Sequence, residues 1–354
     1  MKEKLKVTVA MSGGIDSAVA ALLTIQQGYE VTGATMQLCK KILSDGTDAM
    51  VTDIEDAKNI CDTLGIAHRV YEMSELFDTT VITDFVDTYL NGGTPNPCIV
   101  CNKHLKFGAM LEREIENGAD LVATGHYANI EFDDNGRYLL KKAKDAKKDQ
   151  TYMLWSLSQH QLSHTIFPLG NLTKPEIREI GVQNGFVNAH KSDSQDICFV
   201  PDGDYAAFIE TKLGHTYPEG NYVDEEGNVL GKHKGMIHYT IGQRKGLGIS
   251  MGRHIFVTKK DALTNTVTLA DEDKLFYDKV IIKNINLIPF DKIDGKIRVD
   301  AKIRYSQASS PAYAEQTGDD EITLTFDTPQ RAPAKGQSAV MYDGDYVIGG
   351  GIIV

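Results

Sequence analysis

"LKVTVAMSGGIDSAVAALLTIQQG", residues 5–28, puts a strand, a loop and a helix in one line. Residues 5–11 form an apolar, β-branched run that reads as a buried strand. Ser17 to Gln27 reads as a helix with Ala18, Ala21, Leu22 and Ile25 on one face, and Gly28 ends it. The glycine loop between them aims backbone N–H groups at whatever lies over the helix N-terminus, which makes an anion site. It has no lysine, so it is not a loop of the Walker type.

The alternation continues outward. YEVTGATMQL (29–38) reads as a second strand. TDIEDAKNICDTLG (52–65) reads as a helix with a capping box, Thr52 and Glu55, an apolar stripe of Ile54, Ala57, Cys61 and Leu64, and Gly65 as its stop. HRVYEM is a third strand. A helix from Lys103 to Asn117 is closed by Gly118, and ADLVATGHY is a fourth strand. Strands alternating with helices predict an α/β domain with a doubly wound parallel sheet over residues 1–205. After residue 205 the pattern changes. Short strands and turns such as GNYVDEEGNVLGKHKG predict a small β-rich central domain, residues 206–277. Alternating runs such as VIIKNINLI, KIRVDAKIRY and EITLTF predict a C-terminal β-barrel, residues 278–354.

The composition of the 354-residue chain, 42% hydrophobic and 24% charged, is that of a globular protein. No apolar run is long enough to span a bilayer. The N-terminal segment carries no cleavage pattern of a signal peptide, so a cytoplasmic location and no membrane partner are expected. Five cysteines do not make a disulfide scaffold at this length. A net charge of −12 weighs against nucleic acid as a whole-molecule sum, but phosphate binding is local. KKAKDAKK, Lys141 to Lys148, is a basic run that would otherwise read as a solvated loop.

TPNPCIVCNKHLKF, residues 94–107, holds Cys98 and Cys101 three positions apart. Zinc would need four ligands, and no second C-x-x-C completes a set. A thioredoxin-like redox pair would sit near a βαβ unit without a glycine loop of this kind. Burial as a small hydrophobe fits Cys61 and Cys39. It suits Cys101 poorly, because Cys101 stands where a helix begins, a place that favours thiolate.

Ser12-Gly13-Gly14-Ile15-Asp16-Ser17 resembles the SGGxDS loop of the ATP-pyrophosphatase superfamily, whose members cleave ATP between the α and β phosphates and adenylate a substrate. Within it the chain resembles the bacterial tRNA-specific 2-thiouridylases over nearly its whole length, through AMSGGIDS, TPNPCIVCNKHLKF, ATGHYA, KDQTYML, DSQDICF, TIGQRKGLGI and RYSQ. The resemblance implies ATP-dependent 2-thiolation of the wobble uridine in tRNAs for Lys, Glu and Gln. It implies an ATP site at Ala10, Met11, Ser12, Gly13, Gly14, Ile15, Asp16 and Ser17, with Met36 and Gly125 at strand ends, and Asp16 serving the magnesium that comes with ATP. It makes Cys101 the nucleophile-type cysteine and Cys198 the persulfide carrier, the two forming a disulfide during turnover. Asn96, Pro97, Cys98 and His126 match positions beside the target base. Lys148, Asp149, Gln150, Arg304, Tyr305 and Gln337 match tRNA contacts, where arginine suits phosphate and tyrosine suits stacking. The partners implied are tRNA and a sulfur donor, either a cysteine desulfurase or a persulfide relay protein. One position departs from the family: Cys98 stands where the commoner motif has aspartate, so the acid/base group is open, and Cys98 is expected to shape the base pocket without being essential.

Two rivals remain at this stage. Another ATP pyrophosphatase, acting on a small molecule or on tRNA without sulfur, would keep SGGIDS but would not need both Cys101 and Cys198. A non-catalytic tRNA-binding relative would bind RNA without making AMP.

Overall fold

The computed structural model describes residues 4–40, 48–186, 188, 197–200 and 202–354. The DSQD part of the DSQDICF string lies outside the described residues. The chain divides into two compact units: Met1–Val81 with Cys98–Pro201 and Gly344–Ile348, and Ile82–Pro97 with Asp202–Asp343 and Gly349–Val354.

The first unit is built on a parallel sheet. Its strands are β1 (Lys6–Ala10), β2 (Glu30–Gln37), β3 (His68–Glu72), β4 (Leu121–Ala123) and, after a hairpin of β5 (Asn129–Phe132) and β6 (Tyr138–Lys141), β7 (Thr165–Ile166). Their order is β3-β2-β1-β4-β7, every neighbour parallel. Chain direction across the sheet therefore reverses between β1 and β4. In a doubly wound fold the crevice beyond the carboxyl ends of those two strands is where ligands bind. Helix α1 (Ile15–Gln26) is buried almost all round, with Ala18, Val19, Ala20 and Ala21 at 0% exposure, so the single apolar face expected from the sequence is too narrow. It packs against β1, β2, α2 (Ala49–Leu64) and α3 (Lys174–Gln183), and its small side chains let them approach closely.

Three helix starts differ from the sequence reading. Helix α1 begins at Ile15 rather than Ser17, which puts Asp16 in its first turn. Helix α2 is capped by Asp48, whose carboxylate accepts from the Met50 N–H at 3.1 Å, so Thr52 and Glu55 lie inside its first two turns and make no box. The helix expected from Lys103 begins at Pro97 instead. It runs as an α-turn, Pro97–Cys101, a π-helical segment, Asn102–Met110, and an α-segment, Leu111–Glu116. Proline suits a first helical position because it has no N–H to leave unpaired. The π segment breaks the 3.6-residue period on which the sequence reading relied.

In the second unit, β8 (Gly220–Val223), β9 (Val229–His233), β10 (Phe256–Asp261) and β11 (Thr266–Ala270) form a sheet in the order β10-β11-β8-β9 around Tyr222, Met236, Tyr239, Val257 and Val267. The barrel follows as β12 (Phe276–Leu287), β13 (Lys296–Lys302), β14 (Ser310–Gly318), β15 (Glu321–Arg331), β16 (Ser338–Asp343) and β17 (Tyr346–Ile353), in the order β12-β15-β14-β13-β16-β17. It closes where β17 returns to β12, Gly349 opposite Leu287 and Gly350 opposite Asn286. A side chain at Gly349 would stand 2.1 Å from the Asn286 carbonyl oxygen, so closure needs glycine there. Among the described residues no helix is long and apolar enough to cross a membrane.

Gly33 of β2 has no room for a methyl group, since a Cβ would stand 2.5 Å from Cys61 Sγ and 3.1 Å from Met11 Cγ. Gly33→Ala is expected to cost about 1–3 kcal/mol in urea unfolding. Adding Cys61→Ala should return part of that loss, and a double mutant no more stable than the sum of the singles would refute the steric cause.

Candidate functional site

The loop after β1 is internally braced. The Ser17 hydroxyl donates to the Gly14 carbonyl at 2.9 Å and accepts from the Ser12 N–H at 3.2 Å. Met11 N–H reaches Ala34 O at 2.7 Å, and Thr35 Oγ1 donates to Met11 O at 2.9 Å, which ties the loop to β2. Gly13 has φ +73° and presses on α2, where a Cβ would meet Asp53 O at 2.5 Å. Among the described residues no side chain caps α1. Its first-turn N–H groups are therefore left for an anion, and the helix dipole adds positive potential there. Ala10 and Met36 pack in one apolar cluster with Met73 and Met110 at the carboxyl edge of the sheet. Gly125, after β4, lies against the same loop: a Cβ would sit 2.9 Å from both Asp16 C and Ser17 N. All of the residues expected at an ATP site but Met36 are thus on or against one loop at the topological switch, and Met36 packs in the same cluster as Ala10.

Asp16 is already committed. Lys174, buried at the start of α3, donates to Asp16 Oδ1 and Oδ2 at 2.8 Å each, and Tyr127 donates its hydroxyl to Oδ1 at 2.8 Å. No group of three or more His, Cys, Asp or Glu side chains that could hold a metal ion occurs among the described residues. These residues do not fit a resident metal.

Four thiols of the first unit share a neighbourhood. Cys101 is buried, Cys39 half-buried, and Cys98 and Cys198 keep solvent access. Burial pushes the Cys101 thiol up to about 11, while Lys106 pulls against it and Cys98 and Cys39 add to the rise. Burial also pushes Cys198 up to about 12, with Cys101, Cys39 and Cys98 adding to it and Lys106 opposing. Solvent touches Cys98 and Cys198, yet enough protein rings them to disfavour the thiolate. The expectation that a helix start makes Cys101 a ready thiolate is corrected: Cys101 is the fifth residue of a helix that begins at Pro97, and burial outweighs the dipole. Cys39, read as structural, joins this group, whereas Cys61 packs alone under Gly33.

His126 is half-buried between Phe107 and Phe167, ring centroids 5.7 and 5.9 Å away, with Nδ1 at 2.6 Å from Thr124 Oγ1. Burial first, and Lys106 second, hold it well below the usual histidine range, so it is neutral at pH 7. The Lys148–Gln150 segment is bonded to Tyr127 in both directions: Tyr127 N–H to Gln150 Oε1 and Gln150 N–H to Tyr127 O, each 2.9 Å.

The remaining expected contacts lie in the second unit. Gln337 donates to the Thr94 and Pro95 carbonyls at 2.9 and 3.2 Å, so it fixes the backbone that leads into Asn96 and Pro97. Arg304 donates from Nη2 to Ala332 O at 2.6 Å, while Tyr305 is exposed with the Lys302 ammonium 5.2 Å from its ring.

Family models match in chain order: the tRNA methyl transferase HUP domain over residues 5–202, the tRNA methyl transferase PRC-barrel domain over 206–271, and the aminomethyltransferase beta-barrel domain over 277–353. Proteins named tRNA-specific 2-thiouridylase MnmA are similar end to end. That of Treponema denticola is 49% identical over 99% of this chain and 98% of its own. That of Clostridioides difficile is 49% identical over 98% of each, and that of Acetivibrio thermocellus 47% over 99% of each. The chain belongs to the tRNA-specific 2-thiouridylase family.

Within that thiouridylase framework, sequence reasoning missed two cations. Lys106 lies inside the quoted CIVCNKHLKF string, five residues after Cys101, and the π turn between them brings i and i+5 to one side. Lys174 carries no local motif beyond the Thr173–Glu176 capping box that starts its helix.

With a thiol near 11, roughly one Cys101 in ten thousand is ionised at pH 7. Iodoacetamide alkylation of Cys101 and Cys198, followed by peptide mass spectrometry, should keep rising about tenfold per pH unit from 8 to 10. Lys106→Met should slow it further at each pH, because a cation that favours thiolate is gone. A plateau by pH 9 would contradict the burial account.

Proposed function

We propose that this chain performs ATP-dependent 2-thiolation of the wobble uridine of tRNAs for Lys, Glu and Gln, in the cytoplasm. What supports this most is one juxtaposition: an uncapped anion loop and the Cys101 and Cys198 thiols belong to one α/β unit. The chemistry needs both parts. A uridine carbonyl oxygen is a poor leaving group, and adenylation, with loss of pyrophosphate, turns it into a phosphate ester. ATP occupies the loop from Ala10 to Ser17, with Met36 and Gly125 beside it, and arrives with magnesium as counter-ion.

In the sulfur step the outer sulfur of a Cys198 persulfide attacks C2, and AMP leaves. The Cys101 thiolate then attacks Cys198 Sγ. That forms the Cys101–Cys198 disulfide and releases the 2-thiouridine with the electron pair of the broken S–S bond. An external dithiol-class reductant resets the pair with two electrons. A cysteine desulfurase or persulfide relay protein reloads Cys198.

His126, neutral with Nδ1 held by Thr124, has Nε2 to accept a proton from the ring as the C2 oxygen attacks phosphorus. Cys98 is disfavoured as a thiolate by burial, so it shapes the base pocket with Asn96 and Pro97. Lys148, Asp149 and Gln150 contact tRNA from residues 1–205, and Arg304, Tyr305 and Gln337 contact it from residues 278–354. Residues 206–277 form the central domain of the sequence.

Incubation with ATP, magnesium and unmodified transcripts for these tRNAs should yield AMP and pyrophosphate only when a matching transcript is present. Cys101→Ser and Cys198→Ser should retain AMP formation and lose thiolation by at least about a hundredfold with a persulfide donor added. Cys98→Ser should keep thiolation within about tenfold. AMP formation without tRNA would point to a small-molecule pyrophosphatase. Tight tRNA binding with no ATP cleavage would point to a non-catalytic binder.

A further inference from the structure

Asp16, in the first turn of α1, is joined to the segment from Asp145 to Gln150 by two separate arms. In one, the Gln150 side-chain oxygen accepts from the Tyr127 N–H, the Gln150 N–H donates to the Tyr127 carbonyl, and Tyr127 donates its hydroxyl to Asp16 Oδ1 at 2.8 Å. In the other, Asp145 Oδ2 accepts from the Lys174 N–H at 3.0 Å, and the Lys174 ammonium grips both Asp16 oxygens. The segment closes the circuit on itself, with Lys148 N–H donating to Asp145 O at 3.0 Å and Asp149 accepting from the Ala143 N–H and the Thr151 hydroxyl. Lys144 reinforces it by pairing with Glu176, the capping residue of α3, at 2.9 Å. Tyr127 and Lys174 are both buried, so neither can adjust without moving its neighbours.

The ends of this ring face different ligands. Asp16 is part of the loop whose N–H groups meet the ATP phosphates. The other end carries Lys148, Asp149 and Gln150. We propose that the ring makes nucleotide binding depend on RNA: occupancy of residues 148–150 sets the Asp16 turn of the phosphate loop, and Tyr127 and Lys174 are the positioning residues that transmit it. This rests on the reading of 148–150 as a tRNA contact given above. Its chemical use is to hold back ATP cleavage until an acceptor oxygen is present.

The test is a coupling measurement on the full chain. Binding of an ATP analogue that cannot be cleaved between the α and β phosphates is measured with and without saturating unmodified transcript. In the parent chain the transcript should tighten the analogue at least about fivefold, and the analogue should tighten the transcript by the same factor. Tyr127→Phe keeps the ring and removes the hydroxyl, and its coupling factor should fall to within about twofold of one. Asp145→Ala cuts the other arm and should lower the factor as well. A merely structural defect would weaken each affinity and leave their ratio alone. An unchanged factor in both variants overturns the proposal. A parent that makes AMP with these transcripts yet shows a factor of one keeps the proposed function and loses the relay, and a parent that does not bind the transcripts loses both.

Discussion

The pairing of a buried ammonium, Lys174, with Asp16 is the contact on which the first unit's crevice depends. A buried lysine cannot be left unpaired without a large penalty, so this bond is obligatory. It sets where α3 begins, because Lys174 is the first residue of that helix. It sets the first turn of α1, because Asp16 is the second residue there. Tyr127 then has one position in which its hydroxyl reaches the shared carboxylate, and the peptide before it, Gly125-His126, is pressed onto the loop. A carboxylate facing an incoming polyanion would otherwise repel it. Neutralised by an ammonium, Asp16 lets the N–H groups of α1 set the local potential.

The thiols follow the opposite rule. Burial holds Cys101 and Cys198 protonated at rest, and Lys106 is the influence that opposes it. For sulfur transfer this is a sensible resting state. A protonated thiol does not attack ATP-activated uridine out of turn and resists adventitious oxidation. In the proposed reaction, reactivity waits on loading and on substrate, since a persulfide is more acidic than its parent thiol. His126 shares the same surroundings and the same cation, which keep it neutral.

Much of the first unit was legible from residues 5–28 because strand, loop and helix there each have a local cause: β-branched residues, positive-φ glycine and a run of alanines. The parallel sheet followed from the alternation of its strands with helices, but their order, and so the crevice, did not, because alternation leaves the order open. The helix at Pro97 was misplaced because its middle is π-helical, and a period of 3.6 cannot see a wider turn. The cap of α2 was misassigned because Asp48 competes with Thr52 for the same role one turn earlier. The two cations escaped for a different reason. Lys174 lies 158 residues from the carboxylate it neutralises, and Lys106 sits five residues past Cys101, a spacing that only a π turn brings to one side. What the sequence offered for the site came from motif resemblance, and what it lacked was the set of charges that tune it.

Cys98 joins these strands of argument. It is the second residue of the helix from Pro97, where a carboxylate would be favoured by the helix dipole and would be ionised at neutral pH. A fixed negative charge there would raise Cys101 and Cys198 further, since like charges disfavour one another. A thiol at the same place, itself held neutral by burial, adds no such charge at pH 7. A thiol at this position therefore leaves Cys101 and Cys198 easier to ionise than an aspartate neighbour would. His126 stands beside the same lysine and is likewise held neutral by burial.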